Sequence, residues 1–360
     1  MIIIDAHADL AWNMLSFDRD YTRPVAETRA REANTPIPGY VGQAMLGWPD
    51  WRQGQVGVVF ATLYATPARR ARSWSRYVYH TAEQAHQLLR AQLKLYQDLV
   101  IQHADKFYLI TSRRELENGV QEWAGSSPEQ RRLGLVLLME GADGVRQPDE
   151  LADWFEQGVR IIGPAWTGTQ YAGGSGEPGP FTPAGRILLQ VMAQLGLILD
   201  LSHLTDEGVE EALASYPGPI IASHSNARIL LLANQPERHL SDQTIRGLAE
   251  RQGVIGVVLP NDFVKNRITL ADPKSKVSLV DVVAHIDHMS QLVGHTNHIG
   301  LGSDFDGGFG REHVPTGLDS VADLPRLGEV LAEHGYSPSQ VEAIMGGNWL
   351  NFLRRALPVS

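Results

Sequence analysis

Leu197-Ile-Leu-Asp-Leu-Ser-His203 and Pro219-Ile-Ile-Ala-Ser-His224 are two short apolar runs, and each breaks off into Ser-His. Runs of Val, Ile and Leu without polar alternation suit strands covered on both faces, as in a parallel sheet. Working outward, six more runs have the same character. They are Ile2–Ile4 into Asp5-Ala-His7-Ala-Asp9, Val56–Tyr64, Leu135–Met139 into Glu140, Arg160–Ala165, Val254–Pro260, and Ile299–Gly302 into Ser303-Asp304-Phe-Asp306. Helical spacing fills the gaps: Thr81–Ala104, Pro183–Leu195, Asp206–Ser215, Ser241–Arg251 and Leu279–Val293. Thr205 and Ser241 stand where N-caps belong. Eight strand runs alternating with helices predict a (β/α)8 TIM barrel, read as a single domain over residues 1–360; a doubly wound sheet is the second architecture. Such barrels usually take about 250 residues. The excess falls in Phe17–Gln53 and Thr167–Pro183, both after strand runs, so both are expected as loops on the catalytic face.

Composition narrows the function. Apolar residues make up 43% and charged ones 20%, the balance of a globular chain. The 31 basic residues are outweighed by 41 acidic ones, for a net charge of −10, which argues against a nucleic-acid surface. Cysteine is absent, so disulfides, thiolate nucleophiles and Cys-containing zinc sites are excluded, and a reducing, cytoplasmic location is expected. The opening MIIIDAHADL reads as a first strand and not as a signal peptide. No apolar stretch is long enough to span a membrane.

Of the 13 histidines, His80, His86, His103, His285, His288, His295, His313 and His334 lie in helical or loop contexts and read as surface or packing residues. His7, His203 and His224 instead sit at the ends of strand runs, as do Asp9, Glu140 and Asp304. A barrel gathers all those ends on one face. Three imidazoles and three carboxylates without a thiol form a ligand set for zinc or a similar divalent ion, and six candidates suggest two ions. Burying that many ionisable groups without a metal would be very costly. Two ions need an anionic bridge. None of the five lysines ends a strand run, which leaves Glu140 to hold both ions. Asp304 or Asp306 would carry the proton.

Competing motifs fail. A Gly-x-Ser-x-Gly elbow, a P-loop and His-Glu-x-x-His are all missing. Gly174-Ser-Gly-Glu-Pro-Gly179 fits Gly-x-Gly-x-x-Gly, but Pro178 and Pro180 forbid the strand–turn–helix context that motif needs.

Taken in order, these residues resemble the membrane (renal-type) dipeptidases, peptidase family M19, within the amidohydrolase-like metal-dependent hydrolases. The matching segments are Asp5-Ala-His7-Ala-Asp9, Glu140-Gly141, Leu199-Asp-Leu-Ser-His203, Ser223-His224-Ser-Asn-Ala227, Gly302-Ser-Asp304-Phe-Asp-Gly307 and Gly346-Gly-Asn-Trp349. The resemblance implies two zinc ions, one held by His7, Asp9 and Glu140 and the other by Glu140, His203 and His224. It implies that Asp304 passes the proton and that Arg238 clamps the substrate's terminal carboxylate with its bidentate fork. One position departs. Family dipeptidases carry a histidine at the end of the fourth strand, where this chain has Trp166 in Gly163-Pro-Ala-Trp166-Thr. Indole offers one N–H donor and no charge.

The expected activity is hydrolysis of a dipeptide amide, with a D-residue allowed at the second position, by a hydroxide shared between the ions. The alternatives are a non-peptide amide, lactam or lactone at the same site, or an inactive binding protein. A small dipeptide-like substrate is the expected partner, the reading allows a homodimer, and neither nucleic acid nor membrane is expected.

Overall fold

Strand pairing follows chain order around a ring in the computed structural model, which describes residues 1–234 and 236–360. The strands are β1 (Ile3–Ala8), β2 (Val56–Tyr64), β3 (Leu133–Glu140), β4 (Val159–Gly163), β5 (Ile198–Asp200), β6 (Ile220–Ile221), β7 (Ile255–Val257) and β8 (Ile299–Leu301). All pair in parallel. Asp5 beside Leu301 joins β1 to β8, and a single parallel bridge, Ala222 with Ile255, joins β6 to β7. The fold is a (β/α)8 barrel, which sets the doubly wound alternative aside.

The interior is filled from every side. Ile4, Ala6, Phe60, Val136, Leu138, Ile161, Ile198, Ile221 and Val254 share one buried cluster with Trp349 and Phe352 of the final helix, Asn348–Ala356. Trp349 meets Phe60 edge-on at 5.1 Å and donates its indole N–H to Leu301 O at 2.9 Å. A packed interior of this kind leaves only the strand ends free for chemistry.

The helices obey local rules. Pro183–Leu195 starts under Thr182, whose side chain accepts from Gly185 N, and ends at Gly196 with φ 70°. Ser241 caps Asp242–Glu250 in the same way. Thr205 precedes Asp206–Ser215 but does not cap it; its hydroxyl instead donates to Gly179 O at 2.8 Å. Several elements escaped the sequence reading, among them helices Leu10–Phe17, Leu151–Glu156 and Pro325–Glu333. The strand Phe107–Leu109 pairs beside the start of β3, and helix Arg113–Gly125 follows it under a Ser112/Glu115 capping box.

Both insertions sit where the pattern put them, and both are ordered. Phe17–Gln53 holds the short helices Val25–Glu32, Ile37–Val41 and Trp48–Gln53. Thr167–Pro183 holds an antiparallel hairpin, Ala172–Gly174 with Glu177–Phe181. No helix among the described residues is long and apolar enough to cross a membrane.

Candidate metal centre

Register brings the candidate residues level. Tyr64 pairs with Glu140 across β2 and β3, and Glu140 pairs with Gly163 across β3 and β4. β1 needs a correction of phase, since Ile4 and Ala6 face the interior and strict alternation would turn His7 away. Between Asp5 and Ala8, three steps on β1 match two on β2, from Val59 to Ala61. Such an irregularity re-aims the side chains beyond it, and His7 and Asp9 turn into the mouth of the barrel.

All six convergent residues meet there and all are buried or nearly so. Glu140 Oε1 lies 3.0 Å from His203 Nε2, 3.4 Å from His224 Nε2 and 3.7 Å from His7 Nε2. His7 Nε2 lies 3.7 Å from Asp9 Oδ2 and 3.9 Å from Asp304 Oδ1. His203 Nε2 and His224 Nε2 are 3.0 Å apart, and the His7 and His224 rings lie 3.6 Å apart. His7, Glu140 and His224 offer ligand atoms to one point, and His7, Asp9 and Asp304 to another.

The electrostatics are those of a cation site. Burial pushes Asp9 up to about 6 and holds Glu140 and Asp304 well above the carboxylate range, each raised further by neighbouring acids. Burial lowers His7 to about 3, with the nearby Arg238 charge adding to the effect, and holds His203 and His224 well below the usual imidazole value. His7 Nε2 is buried with no hydrogen-bond partner among the described residues. Neutral imidazoles facing buried carboxylates that outnumber the nearby Arg238 charge fit a divalent ion.

Behind these groups lies a hydrogen-bonded layer. Asp200 Oδ1 accepts from the backbone N–H groups of Ser202 and Ser223, at 3.0 and 2.8 Å. Ser223 Oγ lies 2.8 Å from His224 Nδ1. Asp5 holds Ser303 through its backbone N–H and hydroxyl, at 2.7 and 2.5 Å. Thr62 donates to Asp9. His203 and Asp304 adopt left-handed backbone, with φ 71° and 59°. Asp and His enter that region more readily than most residues, and such conformations cluster at functional sites.

Asp306 does not face the site. Its carboxylate accepts from Met45 N at 2.8 Å and Tyr21 Oη at 3.0 Å, and pairs with Arg19 at 3.2 Å. It anchors the first insertion to the end of β8, which leaves Asp304 as the acid in reach. Arg238 is buried behind β6. It donates to His224 O at 2.9 Å and Ser225 Oγ at 3.1 Å, and its Nε has no partner among the described residues. Burial lowers its pKa, while Asp304, Glu140 and Asp200 oppose the shift. Trp166 lies 5.2 Å from the Tyr64 ring and 6.1 Å from the His203 ring, and Tyr64 in turn meets Trp12 at 6.2 Å.

The sequence reading passed over several residues here, Thr62 and Ser303 among them. Asp200 and Ser223 lie inside the motifs it used. Ser175 Oγ touches His203 Nδ1 at 2.9 Å from the hairpin turn. His239 is buried beside Arg238, against Phe263 at 5.1 Å, with both ring nitrogens unpartnered among the described residues. Only its place in Glu237-Arg-His-Leu240 could have flagged it.

Comparisons with known proteins show the family and the fold. The membrane dipeptidase family, peptidase family M19, matches residues 1–359. Dipeptidase tcpJ of Claviceps purpurea is 28% identical over 324 residues, which is 86% of this chain and 68% of that protein. An uncharacterised protein from the pqqA 5' region of Klebsiella pneumoniae is 32% identical over 279 residues, 74% of this chain and 95% of that protein. A solved metallo peptidase from Rhodobacter sphaeroides, liganded with a phosphinate mimic of the dipeptide L-Ala-D-Ala, shares the fold. Its TM-score is 0.78 at 23% identity, with 99% of each chain covered. Matched over nearly its whole length, the chain belongs to the membrane dipeptidase family, peptidase family M19, and is a metal-dependent dipeptidase hydrolase.

Proposed function

We propose that the chain hydrolyses the amide of dipeptides, including those with a D-residue in second position, with two zinc ions. His7, Asp9 and Glu140 would hold one, and Glu140, His203 and His224 the other. The observation that carries this reading is the placement of Glu140 Oε1 within 3.0–3.7 Å of three imidazole nitrogens. A donor set of nitrogen and oxygen without sulfur suits zinc. Such ions, when bound, polarise a carbonyl and make water nucleophilic near neutral pH.

The chain's own residues supply the rest. Asp304, beside His7 and with its pKa raised by burial, would take a proton and deliver it to the leaving amine. Arg238 uses two donors to fix itself on β6 and has others free for a carboxylate. Tyr64 closes β2 and Trp166 follows β4, whereas Arg238 follows β6, which stands opposite β2 in an eight-strand ring. A dipeptide lying across the mouth therefore places its C-terminal carboxylate at Arg238 and its N-terminal side chain against the aromatic wall. The D-residue part of the reading draws on the L-Ala-D-Ala mimic bound by the Rhodobacter sphaeroides relative. A cytoplasmic location belongs to the same reading, supported by the absence of cysteine.

The test is a hydrolysis screen on purified protein of measured metal content, with L,L- and L,D-dipeptides and their amidated forms. Two ions per chain and turnover of free dipeptides are expected. Trp166 in place of the family histidine favours one second reading, a non-peptide amide, lactam or lactone. Turnover of those compounds by two-ion protein that leaves every dipeptide intact would replace the first reading with it.

A further inference from the structure

The glycine-rich insertion has a tight fit against the barrel. Gly174 packs so closely on the Trp166–Thr167 backbone that an added Cβ would lie 2.8 Å from Thr167 O and 2.9 Å from Trp166 O. Gly176 turns with φ 71°, and a Cβ there would meet the Arg70 guanidinium at 2.6 Å. Glycine suits both places, for the backbone conformation at Gly176 and for the close approach to backbone oxygens at Gly174. The residue between them, Ser175, is thereby lowered onto the site. Its N–H donates to Trp166 O at 3.0 Å, and its hydroxyl reaches His203 Nδ1 at 2.9 Å.

The hairpin is held down on both flanks. Arg70 donates to Gly176 O at 2.8 Å, and Arg69 grips Glu177 at 3.0 and 3.1 Å. On the other side Thr205, two residues beyond His203, exchanges hydrogen bonds with the Gly179 backbone at 2.8 and 3.4 Å. His203 is the candidate ligand with the most need of support, because it leaves β5 in left-handed backbone, φ 71°.

We propose that Ser175 is a positioning residue: its hydroxyl accepts the Nδ1 proton of His203 and so presents the Nε2 lone pair toward Glu140 for a divalent ion. The inference rests on the two-ion reading above. It makes an inserted hairpin, outside the strand–helix framework, a working part of one half of the metal centre. Partners on the distal ring nitrogen fix the tautomer and orientation of a ligating histidine, and their loss typically costs about 10- to 100-fold in metal affinity.

The experiment measures zinc bound per chain against a graded chelator, for wild type, Ser175→Ala, Ser175→Thr and Arg70→Ala. Ser175→Ala is expected to release one ion at about 10- to 100-fold lower chelator strength while the other stays as in wild type. Ser175→Thr keeps the hydroxyl and should hold both ions. Arg70→Ala should weaken the same ion to a smaller degree. Melting of the metal-free proteins should be alike, which separates ligand positioning from general damage to the fold. Unchanged titration of Ser175→Ala overturns the proposal alone. So does equal loss of both ions with a lowered metal-free Tm. A wild type that binds fewer than two ions overturns the two-ion reading and the proposal with it.

Discussion

Asp200 Oδ2 accepts the Ser223 hydroxyl at 2.5 Å, both groups fully enclosed beneath the metal centre. A carboxylate can only accept, so the serine proton points to Asp200 and the oxygen is left to accept from His224 Nδ1, 2.8 Å away. His7 Nδ1 lies 3.5 Å from the same oxygen. One buried carboxylate thus orients two imidazoles through one hydroxyl. Ser223→Ala should raise the zinc dissociation constant by about 10- to 100-fold, the usual effect of losing a ligand's supporting partner. Chelator competition measures it, and an affinity equal to wild type would dismiss the relay.

Asp304 has no salt bridge with Lys or Arg among the described residues, and the charges that act on it most are those of Asp9 and Arg238. Removing its charge should therefore leave the fold intact. Asp304→Asn should keep its metal content and Tm and lose about 10²–10⁴ in kcat, the range for a positioned acid or base. Kinetics beside thermal melting decide this. A collapsed Tm with turnover still near wild type would make the residue structural.

Stripping the metal should expose the pH dependence of the site. Asp9 titrates at about 6 in the folded chain, and burial with neighbouring acids holds Glu140 and Asp304 well above the usual carboxylate range, against about 4 when unfolded. A carboxyl raised on folding favours the fold at pH below its unfolded value, and that contribution is lost as pH rises through the folded one. The lowered histidines work the other way, but His7 at about 3 stays neutral well below pH 5. Between pH 5.5 and 7.5 the carboxylates decide, and bound cations offset their repulsion. The Tm gained on adding zinc should thus be larger at pH 7.5 than at 5.5. Glu140→Gln should lose most of that gain at both values. A gain that grows on acidification would contradict the assignment.

The strand ends were legible because each apolar run stops on a polar residue whose place in a barrel is fixed by topology. His203, His224 and Glu140 needed nothing more. Other features depend on pairing that local pattern does not carry. The phase shift that turns His7 inward exists only in the register of β1 against β2. Asp306 sits two residues from Asp304 in sequence, yet its role follows from Arg19 and Tyr21, which arrive from the far end of the chain. The strand Phe107–Leu109 is three residues long and gives no periodicity to read. Ser175 reaches His203 across 28 positions, within a segment whose prolines speak only against a strand–turn–helix motif.

Trp166 and Arg238 should together define the substrate. On the proposed reading Arg238→Ala would remove a charge-assisted contact worth about 1.5–3 kcal/mol, or roughly ten- to a hundredfold in affinity, so it should mainly harm dipeptides with a free C-terminus. Amidated dipeptides should be poor substrates of the wild type and little altered by that change. Trp166 sets a rigid apolar face 6.1 Å from the His203 ring, at the position where the resemblance expects an imidazole. Its edge-on contact with Tyr64 at 5.2 Å holds it there as part of the wall. Trp166→His should raise kcat on small dipeptides, because a donor aimed at developing charge acts chiefly in the transition state. It should also weaken selection for bulky N-terminal side chains, which lose the indole surface. Steady-state kinetics on one small and one bulky dipeptide, each free and amidated, separate these effects. If Trp166→His abolishes turnover while metals and fold persist, the indole is itself a recognition group, and the substrate it recognises lies outside simple dipeptides.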